Sequence, residues 1–125
     1  MLKKSFLAAA ALLACASSMA FATPAKVADS AKGKVLVDSH GMSLYTFAKD
    51  SAGKSLCTGQ CLANWPAFTA AASAKDADGY SVISRDDGSK QWAYKGQALY
   101  TWVKDAKPGD ITGDGVGGNW NVAKP

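Results

Sequence analysis

The chain has 125 residues, 48% of them hydrophobic, and a formal charge of +4, room for one small domain with a modest core and too little for a multidomain enzyme. Its ten acidic residues are all Asp, Arg85 is the only arginine and His40 the only histidine. These counts exclude a Glu-based acid–base pair, a multi-histidine metal centre within one chain, and an arginine-clustered phosphate or nucleic-acid surface.

The first elements concern export. Lys3 and Lys4 precede an unbroken apolar run, Phe6 to Ala14, and Ala20-Phe21-Ala22 forms a small-x-small cleavage signal before Thr23. This is the layout of a secretory signal peptide over residues 1–22, and the run falls short of the roughly twenty residues that span a bilayer. A rival cut at Leu12-Leu13-Ala14-Cys15 would leave a lipid on Cys15 and tether the protein to a membrane; the bulky Leu13 and the short leader count against it. Either way the destination is the periplasm, the extracellular space or a lipid anchor. There Cys57 and Cys61 meet an oxidising setting. Loss of Lys3 and Lys4 with the leader halves the formal charge.

Residues 23–33 are polar and Ala/Lys-rich, and read as a flexible lead. Strand signals then begin: Lys34 to Val37, a turn at Asp38-Ser39-His40-Gly41, and a return strand from Ser43 to Ala48. Asn64-Trp65-Pro66 closes a short helix begun near Gln60. Ala70 to Ala77 reads as a helical turn or a linker. Ser81 to Ser84, the Asp86-Asp87-Gly88 turn, Gln91 to Tyr94, the Lys95-Gly96 turn and Ala98 to Val103 form a three-stranded meander. Leu44 to Phe47 and Leu99 to Val103 are apolar or aromatic on both faces, as central strands are.

The order of elements repeats. Shifting the chain by 55 residues lays Gly41–Trp65 on Gly96–Trp120 without a gap and with eight identities: Gly, Leu, Tyr, Thr, Lys, Asp, Asn and Trp. Phe47 meets Trp102. The expected fold is therefore mainly β, one small antiparallel domain over 34–125. It is built from two pseudo-symmetric repeats, about 34–69 and 80–125, with long Gly-rich loops and at most short helical turns. One sheet of four to six strands curling on itself suits this better than two domains, since neither repeat alone has enough core.

Tyr45-x-Phe47-x-x-Asp50 and Tyr100-x-Trp102-x-x-Asp105, with Cys57-x-x-x-Cys61, Asn64-Trp65-Pro66, the run Asp86 to Tyr94 and the tail Pro108 to Trp120, resemble a bacterial secreted-repeat family. Its members are also described as predicted lipoproteins with a paired Tyr-x-aromatic-x-x-Asp motif. The resemblance spans nearly all of Lys34 to Pro125. It implies an exported or lipid-anchored protein and contributes no catalytic residue.

The candidate sites each have two readings. In a strand, Tyr45 and Phe47 share a face, as do Tyr100 and Trp102. These aromatics either fill the core while Asp50 and Asp105 cap turns, or wall a ligand cleft with Trp120. Paired-carboxylate hydrolysis would need Asp50 and Asp105 within about 5–10 Å in a cleft. Cys57 and Cys61, with three residues between them, suit a disulfide closing a small loop; a thiol-redox pair, or a copper site with His40 and Met42, are the alternatives. Asp110, Thr112 and Asp114, with Gly115, begin like a calcium loop, but Asn121 stands where a bidentate Glu belongs. No cofactor is expected, copper and calcium being the metals these side chains would suit. The lysines are scattered, as on a solvated surface, so nucleic acid is not an expected partner. The composite expectation is an exported, non-enzymatic binding or structural module of the bacterial cell envelope, its ligand or protein partner unknown. The alternative is a periplasmic copper or thiol-redox protein using Cys57 and Cys61.

Overall fold

Short apolar runs separated by glycine-centred turns favour strands over helices, and the computed structural model, which describes residues 23–125, is mainly β. The signal peptide read at residues 1–22 and the lipidation option at Cys15 lie outside the described residues. The elements in order are β1 (Lys26–Ser30), β2 (Gly33–Val37), β3 (Tyr45–Phe47), α1 (Gln60–Asn64), β4 (Thr69–Ala70), β5 (Tyr80–Ser84), β6 (Lys90–Tyr94), β7 (Gln97–Ala98), a 3₁₀ turn (Val116–Gly118) and β8 (Trp120–Val122).

Each repeat opens with an antiparallel hairpin. β1 pairs β2 from Lys26↔Val37 to Ser30↔Gly33, and β5 pairs β6 from Tyr80↔Tyr94 to Ser84↔Lys90. A tight turn follows each hairpin, at Gly41 and Gly96, both with φ of 85°. That backbone is strained for any residue carrying a Cβ. The first turn is held by Asp38, whose Oδ1 accepts from the backbone N–H of His40 and Met42.

The repeats then exchange their last strands. β8 of the second repeat pairs with β3 of the first, Phe47↔Trp120 to Tyr45↔Val122. Leu36 N–H donates to Ala123 C=O at 2.9 Å, and Ala123 N–H to Leu44 C=O at 2.7 Å. In mirror fashion the end of the first repeat serves the second. Trp92 N–H donates to Phe68 C=O at 2.8 Å, Phe68 N–H to Leu99 C=O at 2.9 Å, and β4 pairs β6. At the centre Tyr45 and Tyr100 bridge each other, N–H to C=O both ways, at 2.8 and 3.0 Å. The backbone polar groups at these exchanged positions of each half are therefore satisfied only with the other half present.

The mainly-β, two-repeat architecture holds, with differences from the sequence reading: β4 and β8 were not read as strands, and three further points depart from it. The strands form two two-stranded sheets and one four-stranded sheet, joined by bridges such as Tyr45↔Tyr100, rather than one curled sheet. Past Ala98, backbone partners come as single bridges, so the strand expected to run to Val103 is broken. Residues 26–30 are strand β1, not a flexible lead. Its Ala/Lys composition carries little hydrophobic signal, and what orders it is the full ladder to β2, with Ala28 packed on the core.

Alternation divides the core in two. Val35, Val37, Tyr45, Tyr100, Trp65, Trp120 and Val122 belong to one cluster. Leu36, Leu44, Leu99, Tyr80 and Ala123 belong to the other. Sequence neighbours Leu44–Tyr45 and Leu99–Tyr100 thus face opposite ways, and all four are fully buried. Burial of each such side chain stabilises by about 1.5–3 kcal/mol.

Candidate functional site

The repeated Tyr-x-aromatic-x-x-Asp segments meet at the pseudo-twofold centre. After each, the chain makes the same turn, Asp50 N–H donating to Phe47 C=O and Asp105 N–H to Trp102 C=O. The carboxylates then cross between repeats. Tyr45 O–H donates to Asp105 Oδ2 at 2.6 Å, and Tyr100 O–H to Asp50 Oδ2 at 2.6 Å. The second oxygen of each caps the following loop. Asp50 Oδ1 accepts from Leu56 N–H at 2.6 Å; Asp105 Oδ1 accepts from Thr112 N–H at 2.9 Å and from its hydroxyl at 2.6 Å.

Burial, then the bond to Asp105, raises the Tyr45 phenol above its ordinary value; burial, then the bond to Asp50, does the same at Tyr100. Both phenols stay protonated and donate. Burial also raises the Asp50 carboxyl, against the opposing pull of Tyr100 O–H, Leu56 N–H and the Arg85 charge.

The two halves differ in what else touches the phenols. Tyr45 oxygen accepts from Gly113 N–H at 3.2 Å. No Cβ fits at Gly113, because it would lie 2.9 Å from ring carbons of both Trp65 and Tyr45. Tyr100 oxygen instead meets Ser55 Oγ at 2.5 Å. Ser55 Oγ accepts from Arg85 Nη1 at 2.7 Å. Arg85 also donates to Gln91 Oε1 and to Cys57 C=O, each at 2.6 Å, and buried Gln91 donates to Leu99 C=O at 2.8 Å.

Beside these pairs four rings stack in a column, Trp102–Trp65–Trp120–Phe47, with centroids 3.9, 3.8 and 4.3 Å apart and interplanar angles of 26°, 2° and 13°. The repeat shift maps the column onto itself: Trp65 and Trp120 are the buried centre, Phe47 and Trp102 the half-buried ends. Tyr45 sets its edge on Trp65 at 5.3 Å, and Tyr100 on Trp120 at 5.1 Å.

Of the residues expected to wall a ligand cleft, Tyr45, Tyr100, Trp120 and Asp105 are buried, while Phe47, Trp102 and Asp50 reach the surface in part. Neither Asp50 nor Asp105 lines either of two shallow clefts beside Arg85. These hold about 100 and 220 Å³ and share Thr58, Arg85 and Asp86, below the roughly 300–1,000 Å³ of ordinary small-molecule sites. Cys57 and Cys61 form the disulfide. With both sulfurs bonded, the copper set of His40, Met42, Cys57 and Cys61 has no thiolates to offer, and His40 is exposed in its turn. The calcium set is divided among different partners. Asp110 accepts from Ala106 and Lys107 N–H, Thr112 donates to Asp105, and Asp114 accepts from Val122 N–H and pairs with Lys32 Nζ at 2.9 Å. Among the described residues no group of three or more His, Cys, Asp or Glu is placed to hold a metal ion.

Trp65, Ser55, Arg85, Gln91 and Gly113 were not singled out as site residues from sequence. The usable signals were a lone arginine in a lysine-rich chain and a glutamine inside the apolar strand Gln91 to Tyr94.

A family model described as a secreted repeat of unknown function matches twice, at residues 26–69 and 81–124. No curated protein and no solved structure matches the chain.

Proposed function

This chain belongs to the secreted-repeat family of unknown function, and from that premise we propose that it is an exported, non-enzymatic binding or structural module of the bacterial cell envelope. One observation carries the reading. The side chains with the chemistry for catalysis, Asp50, Asp105, Tyr45 and Tyr100, are bonded to one another across the repeat boundary and serve cohesion. A hydrolase presents its carboxylates to a substrate; here each carboxylate has one oxygen on a phenol and the other on a loop N–H. Among the described residues, the column ends Phe47 and Trp102 and the shallow clefts around Arg85 offer surfaces to a ligand.

Co-sedimentation of the purified exported protein with isolated bacterial cell envelopes tests this. Saturable binding that weakens in Trp102→Ala, with the fold retained, supports a binding module. A thiol titration and metal assay on the same native protein run beside it. Two free thiols with stoichiometric copper would replace the module with the metal-protein reading.

A further inference from the structure

Tryptophan and tyrosine are the side chains most readily oxidised by one electron, and this protein stacks three indoles face to face. Electron transfer between π systems at the 3.9 and 3.8 Å separations of Trp102–Trp65–Trp120 is strongly coupled. The column has one useful mouth. Trp102 is half-buried and accessible, whereas the other end closes on Phe47, whose phenyl ring is much harder to oxidise. Each inner indole is touched by a tyrosine edge, Tyr45 on Trp65 and Tyr100 on Trp120. Each of those phenols already donates to a carboxylate oxygen at 2.6 Å. That matters because a phenol that loses an electron becomes a strong acid, and its oxidation is easy only where an aligned base takes the proton at once.

The geometry points to a one-electron oxidation path through the molecule, from Trp102 at the surface along the indole column to Tyr45 and Tyr100. The oxidant is an outer-sphere one-electron acceptor, such as a high-valent transition-metal complex. Trp102 gives it one electron and becomes an indole radical cation. Trp65, then Trp120, refills the vacancy in turn. Tyr45 or Tyr100 gives the last electron, and its phenolic proton moves to Oδ2 of Asp105 or Asp50. The balance is one reduced oxidant, one neutral tyrosyl radical and one protonated carboxyl. The carboxyls need not move: Oδ1 of each keeps its N–H partner throughout. Burial that raises the Asp50 carboxyl favours its taking up the proton. The other two tyrosines, Tyr80 and Tyr94, pack 4.7 Å apart in the second core cluster, outside the path.

Flash photolysis with photogenerated tris(bipyridine)ruthenium(III), followed by freeze-quench electron paramagnetic resonance, tests the path. The unaltered protein and Tyr94→Phe should give a tyrosyl signal. The signal should vanish in Tyr45→Phe/Tyr100→Phe and in Trp102→Phe, which keeps a ring at the mouth as Phe47 does at the far end. Should the double tyrosine variant not fold, Trp102→Phe against Tyr94→Phe decides alone. An undiminished tyrosyl signal in Trp102→Phe, its loss in Tyr94→Phe, or a radical that stays on indole would overturn the path.

Discussion

Removing the hydroxyl of Tyr45 is the most informative single perturbation. Tyr45→Phe keeps the ring against Trp65 but deletes the bond to Asp105 and leaves Gly113 N–H without its acceptor. Asp105 is 8% exposed, so little water can replace the phenol. A hydrogen bond to a charged group contributes about 1.5–3 kcal/mol, and a buried group left unpaired costs about 1–3 kcal/mol more. The expected loss is about 3 kcal/mol, which for a domain of this size lowers Tm by on the order of 10–20 °C. The decisive quantity is the coupling in a double-mutant cycle. Tyr45→Phe with Asp105→Ala should couple by about 1.5–3 kcal/mol. Tyr45→Phe with Asp50→Ala, partners in sequence but not in space, should couple by less than about 0.5 kcal/mol. Urea unfolding followed by tryptophan fluorescence, with the disulfide intact and m unchanged, measures both. Equal coupling in the two cycles, or coupling within Tyr45/Asp50 alone, would refute the crossed arrangement.

Gly113→Ala should destabilise by about 1–3 kcal/mol through overpacking against rigid rings, read as a lowered urea midpoint. Cys57→Ser/Cys61→Ser should cost about 2 kcal/mol, the modest gain a five-residue loop allows, and titration of the native residues 23–125 should find no free thiol. At high pH the raised Tyr45 and Tyr100 phenols hold their protons in the folded state after the unfolded chain releases them. Their contribution is therefore complete below the unfolded value of 10.0 and lost as pH rises beyond it; the alkaline slope of stability should shrink in Tyr100→Phe. Acid acts through the lowered carboxyls. Asp114, held down by its Lys32 bond and then by Val122 N–H, stabilises the fold above 3.8 and stops doing so as pH falls through its folded value. Asp50, raised by burial, runs the opposite way, so Asp114→Asn should flatten the acid limb of a stability–pH curve and Asp50→Asn should not.

The repeat, most strands and the helix that begins at Gln60 were legible because each is a local pattern. Short runs of β-branched and aromatic residues mark β2, β5 and β6, glycine marks the turns at Gly41 and Gly96, and Pro66 marks the end of α1. The disulfide was legible from spacing and compartment. The reach of one repeat into the other was not. β8, three residues long and following a long glycine-rich loop, carries too short a pattern to be read as a strand, and nothing local would show that it pairs with β3 rather than with its own repeat. For the same reason Asp50 could be read as a cap, which it is toward Leu56, but not as the acceptor of Tyr100, 50 residues away. β1 was misread because its order comes from its ladder rather than its side chains. Asp110, Thr112 and Asp114 share a calcium-like spacing, yet the loop path gives each its own set of protein partners, an outcome spacing cannot foretell.

The central claim is that exchanged strands and crossed Tyr–Asp pairs make the two repeats one cooperative unit. Native-state hydrogen exchange tests it most directly. The amides of Tyr45, Phe68, Tyr100 and Ala123, two from each repeat and all bonded across the exchange, should open only with global unfolding and report one common free energy. Two separate opening free energies, with Tyr45 and Phe68 in one group and Tyr100 and Ala123 in the other, would contradict it.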